Sequence, residues 1–106
     1  MGESLPVVDP GEVDACAAKL KILADPTRLA ILRILVDGPK HVGEVNEVLA
    51  LEPTLLSHHL RVLREAGLVE AQRDGKAVLY RIAPGVLVKR RGGTALDIGC
   101  CKLSFD

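Results

Sequence analysis

The feature that most constrains this chain is the order of signals between residues 42 and 82. Val45, Val48 and Leu49 predict a short helix over about 42–50, inward on those three residues. After a break at Leu51-Glu52, Pro53 supplies the fixed φ that suits the first turn of another helix. That helix, predicted over 53–66, carries Leu56, Leu60 and Leu63 at the spacing of one buried face, and Gly67 stops it. Two strand-like runs follow, 68–73 and 76–82, with Asp74-Gly75 between them, a dipeptide favoured in two-residue hairpin loops. Short helix, tight turn, longer helix and then a hairpin is the arrangement of a winged helix-turn-helix.

The rest of the chain fits around that unit. Residues 1–10, with Pro6 and Pro10, read as a flexible arm. From Gly11 the stripe Val13, Cys16, Ala17, Leu20, Leu23 predicts a helix. Asp25-Pro26 then ends it and begins the next, the aspartate capping and the proline taking the first turn. Leu29, Ile31, Leu32, Ile34, Leu35 and Val36 nearly encircle this second helix, so it should be central, with Gly38-Pro39 as its stop. Residues 84–106 read as an extended or strand-like tail: a Lys89-Arg90-Arg91 run, Gly92-Gly93, then Leu96, Ile98 and Cys100 in alternation. The expected architecture is mainly α with a β-hairpin wing, one domain over 11–83. With 106 residues, 48% apolar but only 2% aromatic, the core must be built from Leu, Ile, Val and Ala. So thin a core predicts completion by a second copy, a homodimer.

Composition narrows the function classes. No basic region followed by an apolar run opens the chain, and no apolar stretch reaches the roughly 18 residues needed to span a bilayer. The expectation is a soluble cytoplasmic protein with no membrane partner. No glycine-rich phosphate loop, paired-carboxylate site or nucleophile elbow occurs, which argues against an enzyme. Three cysteines in a chain without a secretory signal point to reduced thiols rather than a disulfide framework. The net charge is zero, but it is segregated: residues 1–53 hold five basic against nine acidic side chains, residues 54–91 eight basic against three acidic. A basic half is what phosphate neutralisation requires, a solvated surface patch being the alternative.

Two strings carry a family resemblance. Leu23-Ala24-Asp25-Pro26-Thr27-Arg28-Leu29-Ala30-Ile31-Leu32 resembles the second-helix signature of the ArsR/SmtB repressors. Ser57-His58-His59-Leu60-Arg61-Val62-Leu63-Arg64-Glu65-Ala66-Gly67-Leu68-Val69 resembles their recognition helix and first wing strand. The likeness covers roughly residues 13–83. It implies a homodimeric repressor that binds double-stranded operator DNA and releases it when a metal, metalloid or redox signal binds. In such a fold the outward residues at the start of the recognition helix, Thr54, Leu55, Ser57, His58 and Arg61, enter the major groove. Ser57, His58 and Arg61 can address base edges or phosphates. Ser57 and His59 could instead satisfy local hydrogen bonds. Arg73 and Lys76 flank a turn that could press on the minor groove or backbone, a solvated hairpin tip being the alternative.

The familiar sensor positions of the family are vacant. Where some members carry Cys-x-Cys on the third helix, this chain has Asn46 and Val48. Residues 84–106 hold neither the histidine nor the final helix that others use for ligation and dimerisation. Cys16, Cys100 and Cys101 remain. Thiolate is a soft ligand, so the expected inducer is arsenic(III) or another thiophilic metal ion. Adjacent cysteines on an extended chain point to opposite sides, but Gly99 makes a turn there plausible. Cys16 could instead be an ordinary small core residue. Alternatives are a zinc or cadmium site using His41, Asp14 and Asp97, thiol redox or persulfide sensing, and a winged-helix protein-interaction module without DNA binding.

Overall fold

Among the described residues, three of the four helices open on a carboxylate that accepts from the first turn and is followed by proline. In the computed structural model, which describes residues 4–105, Asp9 accepts from the Gly11 N–H at 2.9 Å at the start of α1 (Pro10–Leu23). Asp25 accepts from Arg28 N–H at 3.0 Å at the start of α2 (Pro26–Val36). Glu52 accepts from Leu55 N–H at 3.1 Å at the start of α4 (Pro53–Glu65). Each proline occupies a position whose missing N–H would have had no helical partner. The remaining helix, α3 (Val42–Leu49), begins with His41, whose N–H donates to Glu44 Oε1 at 2.9 Å.

The turn from α3 to α4 is tightened from both sides of one amide. Asn46 Nδ2 donates to Leu51 O at 2.9 Å while Asn46 Oδ1 accepts from Leu51 N–H at 2.8 Å. Ala50 between them takes a left-handed conformation, φ 52°. These bonds fix how α4 sits against α3, the geometry on which a helix-turn-helix depends.

The wing is antiparallel, β2 (Val69–Asp74) against β3 (Ala77–Ile82), in register from Val69↔Ile82 to Asp74↔Ala77. The two central loop residues are therefore Gly75 and Lys76, one position later than the sequence pattern indicates. Gly75, at φ 64°, supplies the positive φ that a type II′ turn needs at its first central position. A two-residue strand that periodicity does not reveal, β1 (Lys40–His41), pairs with the other edge of β3 through Lys40↔Tyr80 and His41↔Leu79.

The core is built almost wholly from branched aliphatics. Ile31, Leu32 and Leu35 of α2, Val45 of α3, and Leu56, Leu60 and Leu63 of α4 pack with Leu23, Leu68 and Val69. Predicted inward positions on two helices differ. Val48 is 68% exposed, so α3 buries only Val45 fully. On α1 only Leu23 is buried, and Val13 and Leu20 remain 52% and 46% exposed, because nothing among the described residues covers that face of the helix.

Residues beyond the wing form a second sheet. β4 (Leu87–Arg90), β5 (Gly93–Asp97) and β6 (Lys102–Ser104) make an antiparallel meander in the order β4-β5-β6. The strand partners of the expected extended tail are thus its own segments. Leu96 and Ile98, 0% and 3% exposed, anchor the sheet to the main core. Among the described residues no helix follows the wing, and no helix is long and apolar enough to cross a membrane.

Candidate nucleic-acid interface and thiol cluster

The 3.6-residue period of α4 divides it into two faces. Leu56, His59, Leu60 and Leu63 turn inward, and Thr54, Leu55, Ser57, His58 and Arg61 line one open cleft of about 710 Å³ with Arg64 and Tyr80. The structure therefore brings together the five predicted α4 residues. It adds Arg64, one helical turn beyond Arg61, and Tyr80 from β3, which no local pattern links to α4. Arg73 and Lys76 are exposed at the wing and do not line that cleft. Glu52 at the helix start is held below the usual carboxylate range by the backbone N–H groups of Thr54 and Leu55, so it stays ionised at the mouth of the cleft.

Adjacent histidines have opposite fates. His58 is exposed, whereas His59 is 8% exposed and its Nδ1 accepts from Arg28 Nε at 3.1 Å. Arg28 also donates to Ile22 O at 3.3 Å, so one guanidinium joins the end of α1, the start of α2 and the inner face of α4. His59 is thereby a satisfied internal group. The first resemblance string, through Arg28, thus positions the helix that the second string forms.

His41 ties the wing to α3. Its Nδ1 lies 3.0 Å from Glu44 Oε1 and its Nε2 2.8 Å from Asp74 Oδ2 at the wing turn. Hydrogen bonds to Asp74 first, then Glu44, raise the imidazole above its ordinary pKa. A raised folded-state pKa adds stability that is complete below the unfolded histidine value, about 6.5, and is lost as pH rises through the higher folded value. The thermal midpoint of wild type should therefore exceed that of His41→Ala most at mildly acid pH, with the gap narrowing as pH rises. A gap that widens toward alkaline pH would contradict this clamp. High salt should shrink the gap throughout, since the pair is exposed.

The three cysteines, 84 residues apart at their extremes before Cys101 is added, converge. Their sulfurs lie within 4.8 Å of one another, Cys16 half-buried on α1, Cys100 and Cys101 exposed. The turn that permits this is built on Gly99, whose φ of 97° disfavours any side chain. Ile98 N–H donates to Cys101 O at 3.0 Å across it, and Gly99 N–H donates to Asp97 Oδ1 at 2.8 Å. Lys19 Nζ, on the turn of α1 after Cys16, donates to Ile98 O at 2.9 Å and holds the turn against the helix.

Three expectations are corrected here. Cys16 and Cys100 are joined as a disulfide, with Cα atoms 5.9 Å apart and Cys101 left free, where reduced thiols were expected. Cys16 is accordingly not a core residue; it lines a surface groove of about 560 Å³ with Val13, Lys19 and Gly99. His41 is engaged at the wing and Asp97 within its own turn, so neither joins a zinc or cadmium site with Asp14. Among the described residues, the three thiols are where potential ligand side chains meet. As thiolates they offer three soft donors; as a disulfide with one thiol they do not.

Comparison with known proteins agrees with this geometry. Residues 25–71 match the family model described as bacterial regulatory protein, arsR family. The chain is 38% identical over 81 residues to the HTH-type transcriptional repressor SmtB of Mycobacterium tuberculosis, over 76% of this chain and 60% of that protein. It thus spans less than two thirds of that relative's length. The solution structure of a homodimeric winged helix-turn-helix DNA-binding domain from Mycobacterium bovis, a possible ArsR-family transcriptional regulator, is similar at TM-score 0.63 and 37% identity, over 69% of this chain and 68% of that one. A crystal structure of a possible transcriptional regulator for arsenical resistance is similar at TM-score 0.58 and 37% identity, over 61% and 68% of the two chains. By its capped helices, its α4 cleft, its wing and the family match, the chain belongs to the ArsR family of bacterial regulatory proteins and has its winged helix-turn-helix fold.

Proposed function

We propose that this protein is a cytoplasmic transcriptional repressor, working as a homodimer, that leaves its operator DNA when arsenite or another thiophilic ion binds Cys16, Cys100 and Cys101. The observation that carries the reading is the meeting of three cysteine sulfurs between α1 and the tail, within 4.8 Å of one another. Support for the DNA partner comes from the exposed Thr54, Leu55, Ser57, His58 and Arg61 face of α4 and from the wing cations Arg73 and Lys76. The SmtB relative is named a repressor, and the M. bovis domain is described as homodimeric and DNA-binding. The apolar Val13 and Leu20 left open on α1 fit a surface that a second copy covers.

The chemistry of the donors selects the inducer class. Arsenite exchanges its three hydroxyls for three sulfurs, the hydroxyls leaving as water with the thiol protons. Three thiols with no histidine or carboxylate among them suit such a soft acceptor better than zinc or calcium. A relative described as a possible transcriptional regulator for arsenical resistance accords with this choice. Cys16 sits on α1, the helix this reading places at the dimer contact. Cross-linking α1 to the tail would therefore bias how the two α4 helices are spaced, and a dimer reads two half-sites only at a fixed separation.

A second reading, thiol redox sensing, is favoured by the Cys16–Cys100 disulfide itself. It makes the same α1-to-tail link when an external thiol oxidant accepts the two electrons and two protons of the paired thiols, and it leaves Cys101 as the free cysteine able to exchange with it. The two states exclude each other, because the disulfide consumes two of the three donors.

One titration tests both. A duplex selected from a random-sequence pool should bind reduced protein with strong salt dependence, and Arg61→Ala should weaken it by about 1–3 kcal/mol. Arsenite added to the reduced complex should release the DNA. Unchanged binding with arsenite but release by a thiol oxidant would replace the first reading with the second. Salt-insensitive binding, or none, would leave a protein-interaction module.

A further inference from the structure

The β4–β5 hairpin carries a concentration of charge that the recognition surface does not account for. Lys89, Arg90 and Arg91 are all exposed at its outer end, and with Lys102 they face a single carboxylate, Asp97, over residues 84–105. The register ends at Arg90↔Gly93, so Arg91 and Gly92 form the two-residue loop and Arg91 stands at the tip. Lys89 and Arg90, being consecutive on a strand, project to opposite faces. The three cations thus surround the tip rather than lining one side of it.

The hairpin is rooted where the wing is rooted. Ala83 N–H donates to Leu68 O at 3.0 Å, closing the base of the wing, and Val86 N–H donates to Ala83 O at 3.1 Å in a turn that redirects the chain into β4. The β4–β5 pair is anchored through Leu96, 0% exposed, opposite Leu87. From that anchor the four-residue strand carries the cations outward by roughly 10 Å at about 3.3 Å per residue. At the tip, Arg90, Arg91, Gly92, Gly93, Thr94 and Ser104 border a cleft of about 110 Å³. Arg90 is braced there by donating to Ser104 Oγ at 2.8 Å. Two guanidinium groups, two hydroxyls and the backbone of a Gly-Gly turn form a set rich in donors for phosphate oxygens.

We infer that the β4–β5 hairpin is a second wing: Lys89, Arg90 and Arg91 grip the phosphate backbone of DNA flanking the sequence that α4 reads. This rests on the DNA-binding reading above. A continuous anionic polymer is the partner that cations spread around a tip can meet from every side, and phosphate contacts carry no base sequence. The contribution should therefore be independent of sequence.

The test is the slope of log affinity against log salt, which falls by about 0.9 for each phosphate contact removed. On a duplex extended by flanking DNA, the triple variant Lys89→Gln, Arg90→Gln, Arg91→Gln should lose about 2 to 3 units of slope for each hairpin engaged. It should bind roughly tenfold or more weakly at low salt, equally on selected and scrambled sequence. The double variant Lys89→Gln, Arg91→Gln keeps the Arg90–Ser104 bond and should lose about two thirds as much slope, which guards against a folding defect in the triple. Trimming the flanks should reduce the wild-type slope to that of the triple variant. A slope unchanged in both variants overturns the second wing while leaving the recognition helix in place. Failure of wild type to bind any duplex in a salt-dependent way overturns the DNA reading with it.

Discussion

Serine in place of Cys16 is expected to weaken arsenite binding to the reduced protein by a hundredfold or more and to abolish release of DNA by arsenite. Removing even a group that merely orients a ligand costs roughly 10–100-fold in metal affinity, and Cys16 would be a ligand itself. Its hydroxyl replacement is a hard, largely protonated oxygen and a poor partner for a soft acceptor. Cys16 is also the one cysteine on α1. Without it, Cys100 and Cys101 could still hold an ion weakly, but nothing would link the tail to the helix. The two effects separate by measurement, binding by calorimetry on reduced protein and release by fluorescence anisotropy of labelled duplex. Cys101→Ser should retain the α1-to-tail link and give an intermediate loss. A Cys16→Ser protein that releases DNA as wild type does would remove α1 from the sensor.

Leu60→Ala should lower stability by about 2–5 kcal/mol, the cost of deleting a fully buried leucine and leaving a cavity. Leu60 is 1% exposed at the centre of the inner face of α4, among Leu56, Leu63 and the α2 leucines. For a domain near this size each kcal/mol shifts the thermal midpoint by about 4–8 °C, so the midpoint should fall by about 8 °C or more at fixed protein concentration. The internal control is Leu55→Ala on the same helix. Leu55 is 44% exposed on the cleft side, so its loss should move the midpoint little while weakening DNA binding. Equal midpoints for the two variants would mean that the division of α4 into a buried and a DNA-facing side is wrong.

These variants also mark how far the sequence could be read. Leu56, Leu60 and Leu63 at helical spacing, the Asp25-Pro26 boundary and the Asp74-Gly75 signal are local, and local patterns fix the order of helices and wing. The outward residues of α4 follow by elimination once its inner face is known. Val48 and the α1 stripe were misjudged for the same reason. Periodicity says which residues share a face, but not whether another element covers it. His59 borders the stripe set by Leu56, Leu60 and Leu63, and only Arg28, 31 positions away in sequence, shows that it belongs inside.

By itself, then, the sequence determined a winged helix-turn-helix of the ArsR family and the division of its fourth helix into an inward and an outward face. What the tertiary structure decided is everything that depends on residues distant in the chain meeting. It turned 84–105 from an extended tail into a sheet with its own cationic hairpin, and it closed His41 onto Asp74. It also set Cys16 beside Cys100 and Cys101 by a glycine turn held to Lys19. Such meetings depend on how the elements dock, and docking is set by the shared core around Leu96 and Ile98 rather than by any pattern along the strands they terminate.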